Sequence, residues 1–196
     1  MPQGLLERWL EELLATPGLT AISDPAEARR RLVDDALRAA PLVREASGPV
    51  VDVGSGGGSP GIPLAVAIPE RPFALLESER RKCEFLRRVT TDLPNVEVVR
   101  GRAEEQPTDT FGVALAKALA KPPVAAELCL PLLREGGLAI LWVGESVDRE
   151  AVSRVAARLA SRLDRAVDGL LLLRKDGPTP PGFPRRVGMA KKRPLA

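Results

Sequence analysis

VVDVGSGGGSPGIP, residues Val50 to Pro63, decides the fold. A short apolar run ends in a cluster of glycines, and a second apolar segment follows. That order predicts a buried strand, a tight turn and the start of a helix. Glycines just past a strand let the backbone take positive φ and let a ligand approach the main chain. The free N–H groups of the next helix face the same space. Open α/β sheets bind nucleotides there, at the carboxyl ends of their strands.

Outward from this stretch the pattern alternates. Strands are predicted at Val50–Val53, Phe73–Leu76, Val96–Val99, Phe111–Ala116, Leu138–Val143 and Leu170–Leu173. Helices are predicted from about Pro60, from Ser78 as cap to about Thr91, from Pro123 to Leu133, and from Ser146 or Asp148 to about Leu163. Strands separated by helices make a mostly parallel sheet with helices on both faces. Ahead of the glycine stretch, Leu5, Leu6, Trp9, Leu10, Leu13 and Leu14 recur at helical spacing, and Pro17-Gly18 ends that helix. Asp24-Pro25-Ala26-Glu27 starts a second helix, expected to reach about Ala40, with Asp24 as N-cap and Pro25 in its first turn. The chain therefore divides into a helical N-terminal extension (1–48), an α/β domain (49–176) and a basic, irregular C-terminal tail (177–196).

Composition narrows the chemistry. The 196 residues contain no histidine, which excludes Ser-His-Asp and Cys-His catalysis and histidine-based metal sites. Cys83 and Cys129 fit no metal spacing and read as buried free thiols of a protein of the cell interior. No metal is expected. No apolar run approaches the length of about 20 residues that spans a bilayer, so no membrane partner is expected. Aromatic residues are only 3% of the chain, so the core is aliphatic, and Trp9 and Trp142 read as part of it. Net charge is +3, yet Phe183–Ala196 alone holds five basic residues and no acid, which suits a polyanion. Arg80, Arg81, Lys82, Arg87 and Arg88 are spread around one helix and read as a solvated face.

Polar groups gather where a nucleoside would lie. Asp52 closes the first strand. Glu77 closes the second, at the position that hydrogen-bonds a ribose. Gly101-Arg102-Ala103-Glu104-Glu105 follows the third. Gly56, Gly58 and Gly61 satisfy the dinucleotide pattern G-x-G-x-x-G, which leaves a NAD-linked oxidoreductase as one reading. Two features oppose it: the strand turns earlier, at Gly54, and Pro60 and Pro63 remove N–H groups that a pyrophosphate needs. S-adenosylmethionine carries no phosphate and fits this turn better, with Asp52 facing its amino-acid end.

The chain resembles the ribosomal RNA small subunit methyltransferase G family, also called glucose-inhibited division protein B. The matching stretches are GLTAISDP at Gly18–Pro25, DVGSGGGSPGIPLA at Asp52–Ala65 and LLES at Leu75–Ser78. VEVVRGRAEE at Val96–Glu105 and PRRVGMAKKRPL at Pro184–Leu195 complete the set. The resemblance implies a class I methyltransferase that uses S-adenosylmethionine to methylate N7 of a guanine in small-subunit ribosomal RNA. It implies cofactor contacts at Gly54, Ser59, Ala103 and Glu104, with Glu77 on the ribose; Gly56, in the same glycine turn, is a further expected contact. Arg102 and Lys117 would lie on the RNA side, joined by the tail residues Arg185, Arg186, Lys191, Lys192 and Arg193. No catalytic residue is assigned, because guanine N7 has a free lone pair and needs no base. A cytoplasmic monomer acting on small-subunit rRNA or the ribosomal small subunit is expected.

The sequence departs from the family pattern at four places. Leu32 replaces a histidine, Lys117 an arginine, Val143 a lysine, and Asp168-Gly169 a basic pair before a shortened last hairpin. These changes lie on the RNA side and open a second reading, a non-catalytic rRNA- or ribosome-binding protein that keeps the fold.

Overall fold

The computed structural model describes residues 2–196. Helix α1 spans Pro2–Ala15 and buries Leu6, Trp9, Leu10 and Leu13, the stripe that helical spacing predicts. The second predicted helix is not one run. It comprises α2 (Pro25–Ala28), a π-helical turn at Arg29–Asp34 and α3 (Asp35–Leu37). Ala28 and Val33 lie five residues apart and are both fully buried. A π turn stacks positions i and i+5, so it turns both inward where an α-helix would rotate one away. Asp24 caps α2 as expected, its Oδ1 accepting the Glu27 N–H at 2.6 Å. Helix α4 (Ala40–Glu45) follows, and the Arg71 guanidinium donates to the carbonyls of Val43, Ala46 and Gly48 at its end.

The sheet has seven strands: β1 (Val50–Val53), β2 (Phe73–Glu77), β3 (Val96–Arg100), β4 (Phe111–Ala116), β5 (Leu133–Trp142), β6 (Ser161–Val167) and β7 (Leu170–Lys175). Their order is β3-β2-β1-β4-β5-β7-β6. Strands β1 to β5 are parallel; β7 runs antiparallel to both β5 and β6. Between them come α5 (Gly61–Ala67), α6 (Arg80–Val89), α7 (Pro122–Cys129) and α8 (Arg149–Arg158), and α9 (Met189–Lys192) follows β7. Side chains alternate across β1. Val51 and Val53 join the core under α7 and α8, while Val50 joins the core under α4 and α5. Ala39, Ala40 and Val43 share that second core, so the N-terminal helices pack directly on the sheet.

Four expectations are corrected. α8 stops at Arg158, and the residues expected to extend it form β6. Asp168 and Gly169, at φ +47° and +74°, make the tight turn into β7. β5 starts at Leu133, with Arg134–Gly137 bulging opposite Gly112. Ser78 does not cap α6; its hydroxyl donates to Glu77 Oε1, and Glu79 is the N-cap. The tail is likewise not wholly irregular: it carries α9 and buries Ala190. Among the described residues no helix is long and apolar enough to cross a membrane.

Candidate functional site

The site is built at the carboxyl end of β1. Past Val53 the N–H groups of Gly54 and Ser55 both donate to Leu76 O, at 2.8 and 3.1 Å. Gly54 then turns at φ +74°. That φ is the reason for glycine here; a Cβ would also press on Leu119 Cδ1 at 2.5 Å, which the leucine could relieve by moving. Two carboxylates brace the turn from behind. Asp52 Oδ2 accepts the Gly61 N–H at 3.0 Å, and Glu77 Oε2 accepts the Gly56 N–H at 3.0 Å. Glu77 Oε1 also accepts the Glu79 N–H at 2.8 Å. From the other side, Trp9 Nε1 donates to Gly57 O at 2.8 Å, tying α1 to the turn.

Burial dominates the electrostatics of Asp52. It is 1% exposed, and loss of solvent pushes its carboxyl up to about 7. The Gly61 N–H and Ser55 hydrogen bonds oppose that rise; nearby Glu77 adds to it and nearby Lys117 reduces it. Both cysteines are buried, and desolvation pushes their thiols up, so neither is a nucleophile.

A shallow, open cleft with a cavity volume of about 100 Å³ lies over the ends of β1, β2 and β3. Val53 and Gly54 line it at the end of β1, Leu76 and Ser78 at the end of β2, and Gly101 to Glu104 from the segment after β3. Leu119 and Leu128 add an apolar side, and Gly188 and Lys191 reach it from the C-terminal segment.

Of the residues expected to hold the cofactor, Gly54, Ala103 and Glu104 line this cleft. Gly56 and Glu77 stand just behind it, bonded to one another. Asp52 does not face the cleft. Strand alternation turns its side chain under α5, where Gly61 needs an acceptor. Ser59 also points away, its hydroxyl donating to Leu32 O at 2.8 Å. That bond uses the backbone of Leu32, so it survives whichever side chain stands there.

On the expected RNA side, Arg102 and Lys191 line the cleft. Arg186, Lys192 and Arg193 are exposed. Arg185 is not available to a ligand, because its guanidinium is paired with Glu127 in two bonds of 2.6 and 2.7 Å. Lys117 Nζ is held by Asp35 Oδ2 at 2.6 Å and by the Arg31 carbonyl, so the π-helical turn meets the end of β4. Trp142 Nε1 donates to Asp35 O at 3.3 Å in the same cluster. Val143 and Asp168 border a second cavity, at the carboxyl end of β5. Sequence reasoning missed Leu119 and Gly188. Gly188 lies within PRRVGMAKKRPL, where the basic residues drew attention instead.

The chain was compared with known proteins. The family model described as rRNA small subunit methyltransferase G matches residues 5–166. The Ribosomal RNA small subunit methyltransferase G of Synechococcus elongatus is 35% identical over 90% of this chain and 82% of its own. That of Thermotoga maritima is 36% identical over 97% of this chain and 86% of its own. Solved structures share the fold at lower identity. TYW2 of M. jannaschii, solved in complex with AdoMet, gives a TM-score of 0.53 at 17% identity, over 71% of each chain. The pyocyanin biosynthetic protein PhzM gives 0.58 at 16% identity, over 70% of this chain and 52% of its own. The sheet is therefore that of a class I methyltransferase, and the chain belongs to the rRNA small subunit methyltransferase G family.

Proposed function

We propose that this chain transfers a methyl group from S-adenosylmethionine to N7 of a guanine in small-subunit ribosomal RNA. The observation that carries this reading is the braced glycine turn, opening onto a cleft over β1, β2 and β3, in a chain of this family.

The backbone at the start of α5 discriminates between cofactors. Gly61 N–H is taken by Asp52 and Ile62 N–H by Gly58 O, and Pro60 and Pro63 have none. No donor is left there for a pyrophosphate, which sets aside the NAD reading. A phosphate-free nucleoside fits. Gly54, Ala103 and Glu104 would contact it, and Glu77 would meet its ribose from behind the turn. When bound, S-adenosylmethionine supplies an electrophilic methyl group on a sulfonium.

What remains for the protein is placement. Guanine N7 already offers its lone pair, so the residues position the base and exclude water rather than move a proton. This suits a chain without histidine. Arg102, Lys191 and the exposed tail cations would hold RNA phosphates. Lys117, where the family has arginine, is ion-paired with Asp35.

Calorimetric titration with S-adenosylhomocysteine tests the cofactor, and methyl transfer from labelled donor to rRNA from unmethylated small subunits tests the reaction. Label at one guanine is expected. Gly54→Val should weaken S-adenosylhomocysteine by about tenfold or more, since it meets both an excluded φ and Leu119. No binding at millimolar S-adenosylhomocysteine overturns the proposal. Binding without transfer, with the protein still sedimenting on small subunits, supports the non-catalytic alternative.

A further inference from the structure

The C-terminal segment runs from the amino ends of the parallel strands to their carboxyl ends. It is rooted at Lys175, whose side chain is fully buried at the end of β7. Lys175 Nζ donates to Leu130 O at 3.1 Å and to Thr179 Oγ1 at 2.8 Å. The Thr179 N–H and hydroxyl donate to Asp109 Oδ1 at 3.0 and 2.9 Å. Asp109 precedes β4, so this anchor sits at the amino end of the parallel strands, opposite the glycine turn. Phe183 and Leu195 then pack on the core under α7 and α8. The Arg185–Glu127 pair fixes the middle; Glu127 is 4% exposed and both its oxygens are used. Arg185 also donates to Arg193 O at 2.9 Å, joining the outgoing and returning limbs. At the far end the Gly188 N–H donates to Glu104 Oε1 at 2.9 Å, Ala190 is buried, and Gly188 and Lys191 wall the cleft.

The outer face of the segment has a different character. Arg186, Lys191 and Lys192 are exposed and make no ion pair among the described residues. Between them Val187 is 45% exposed, the single exposed large hydrophobic side chain among the described residues. Cations around an apolar side chain suit an unpaired RNA strand, with phosphates on the cations and a base against the valine.

We infer that residues 176–196 form a strap that serves both ligands, walling the cofactor cleft with one face and docking rRNA with the other, so that the two bind cooperatively. The inference rests on the methyltransferase reading above. A cofactor in the cleft favours the docked strap, because Gly188 and Lys191 complete the wall only when docked. The docked strap holds its cations in place, so RNA binding then costs less ordering. The coupling is reciprocal: rRNA must tighten the cofactor by the same factor.

Filter binding of transcribed small-subunit rRNA to the full-length protein, with and without saturating S-adenosylhomocysteine, tests this. The parent protein should bind rRNA at least about fivefold tighter with S-adenosylhomocysteine present. Glu127→Gln, which loosens docking, should weaken both S-adenosylhomocysteine and cofactor-free rRNA binding and raise that gain by about twofold or more, because less of the free protein is docked. This variant adds one unit of positive charge, so a purely electrostatic tail would bind RNA tighter instead. If its thermal melt shows loss of fold, Gly188→Ala provides the readout. The new Cβ meets no atom within 4 Å, but φ is +81°. A parent protein that binds S-adenosylhomocysteine without any gain in rRNA affinity overturns the strap alone. So does a folded variant whose gain does not rise above the parental value. A parent protein that binds no S-adenosylhomocysteine overturns the methyltransferase reading itself.

Discussion

Asp52 shows how one residue can brace a site without touching its ligand. Its side chain shares the β1 face of Val50 and points under α5, where the Gly61 N–H has no other acceptor. A Cβ on Gly61 would lie 2.7 Å from Asp52 Oδ2, so the contact itself requires glycine there. The sequence placed a carboxylate at the strand end but did not reveal which way it turns, although strand alternation, extended one residue further, would have told. Burial holds the Asp52 carboxyl at about 7, against about 3.9 in an unfolded chain. The folded protein therefore keeps a proton that the unfolded chain releases. This contribution to stability is full below the unfolded value, is lost as pH rises through the folded one, and is level beyond. Asp52→Asn cannot ionise, so its stability relative to the parent should improve by about 1–3 kcal/mol between about pH 5 and pH 8. Urea denaturation at the two pH values measures this, and a difference that does not change with pH would mean the carboxyl is ionised throughout.

Among the elements, the central strands were legible because both their faces are buried. A run such as Val50–Val53 has no other use in a chain of this composition. β6 was not. As an edge strand it carries Arg162, Asp164 and Arg165, charges that discourage pairing with other chains and that also resemble the polar face of a helix. The readable signal was Asp168-Gly169 between apolar residues, a strong short-range hairpin mark. Gly169→Val would force a β-branched residue to φ +74°, with no close contact to blame, since the nearest atom to its Cβ is Val143 O at 3.5 Å. It should destabilise the protein by about 2 kcal/mol in urea melts. A neutral outcome would mean the turn tolerates another geometry. The π-helical turn was also illegible: its widening follows from packing Ala28 and Val33 together, which depends on what lies beneath. That widening nevertheless sets the Arg31 and Leu32 carbonyls against Lys117 and Ser59.

Over the whole molecule, both ends of the chain converge on the carboxyl ends of the parallel strands. α1 reaches the glycine turn through Trp9, and the C-terminal strap reaches the cleft through Gly188. The basic tail was legible as charge, but its path was not, because the Arg185–Glu127 pair joins residues 58 positions apart. That pair removes one of the five tail cations from the surface and leaves the others to face a polyanion. Arg186→Ala combined with Lys192→Ala should therefore reduce the steepness of log affinity for rRNA against log salt by roughly 1.4 to 1.8. Titration across a range of potassium chloride concentrations measures the slope, and an unchanged slope would place the phosphates elsewhere.

The tryptophans have a practical consequence. With two of them and no tyrosine, the ultraviolet emission of this protein comes from two indoles alone. One is bonded to Gly57 in the glycine turn and the other to Asp35 beside Lys117. Each reports on a different side of the working edge, so the chain carries its own optical gauge of ligand seating and needs no attached dye.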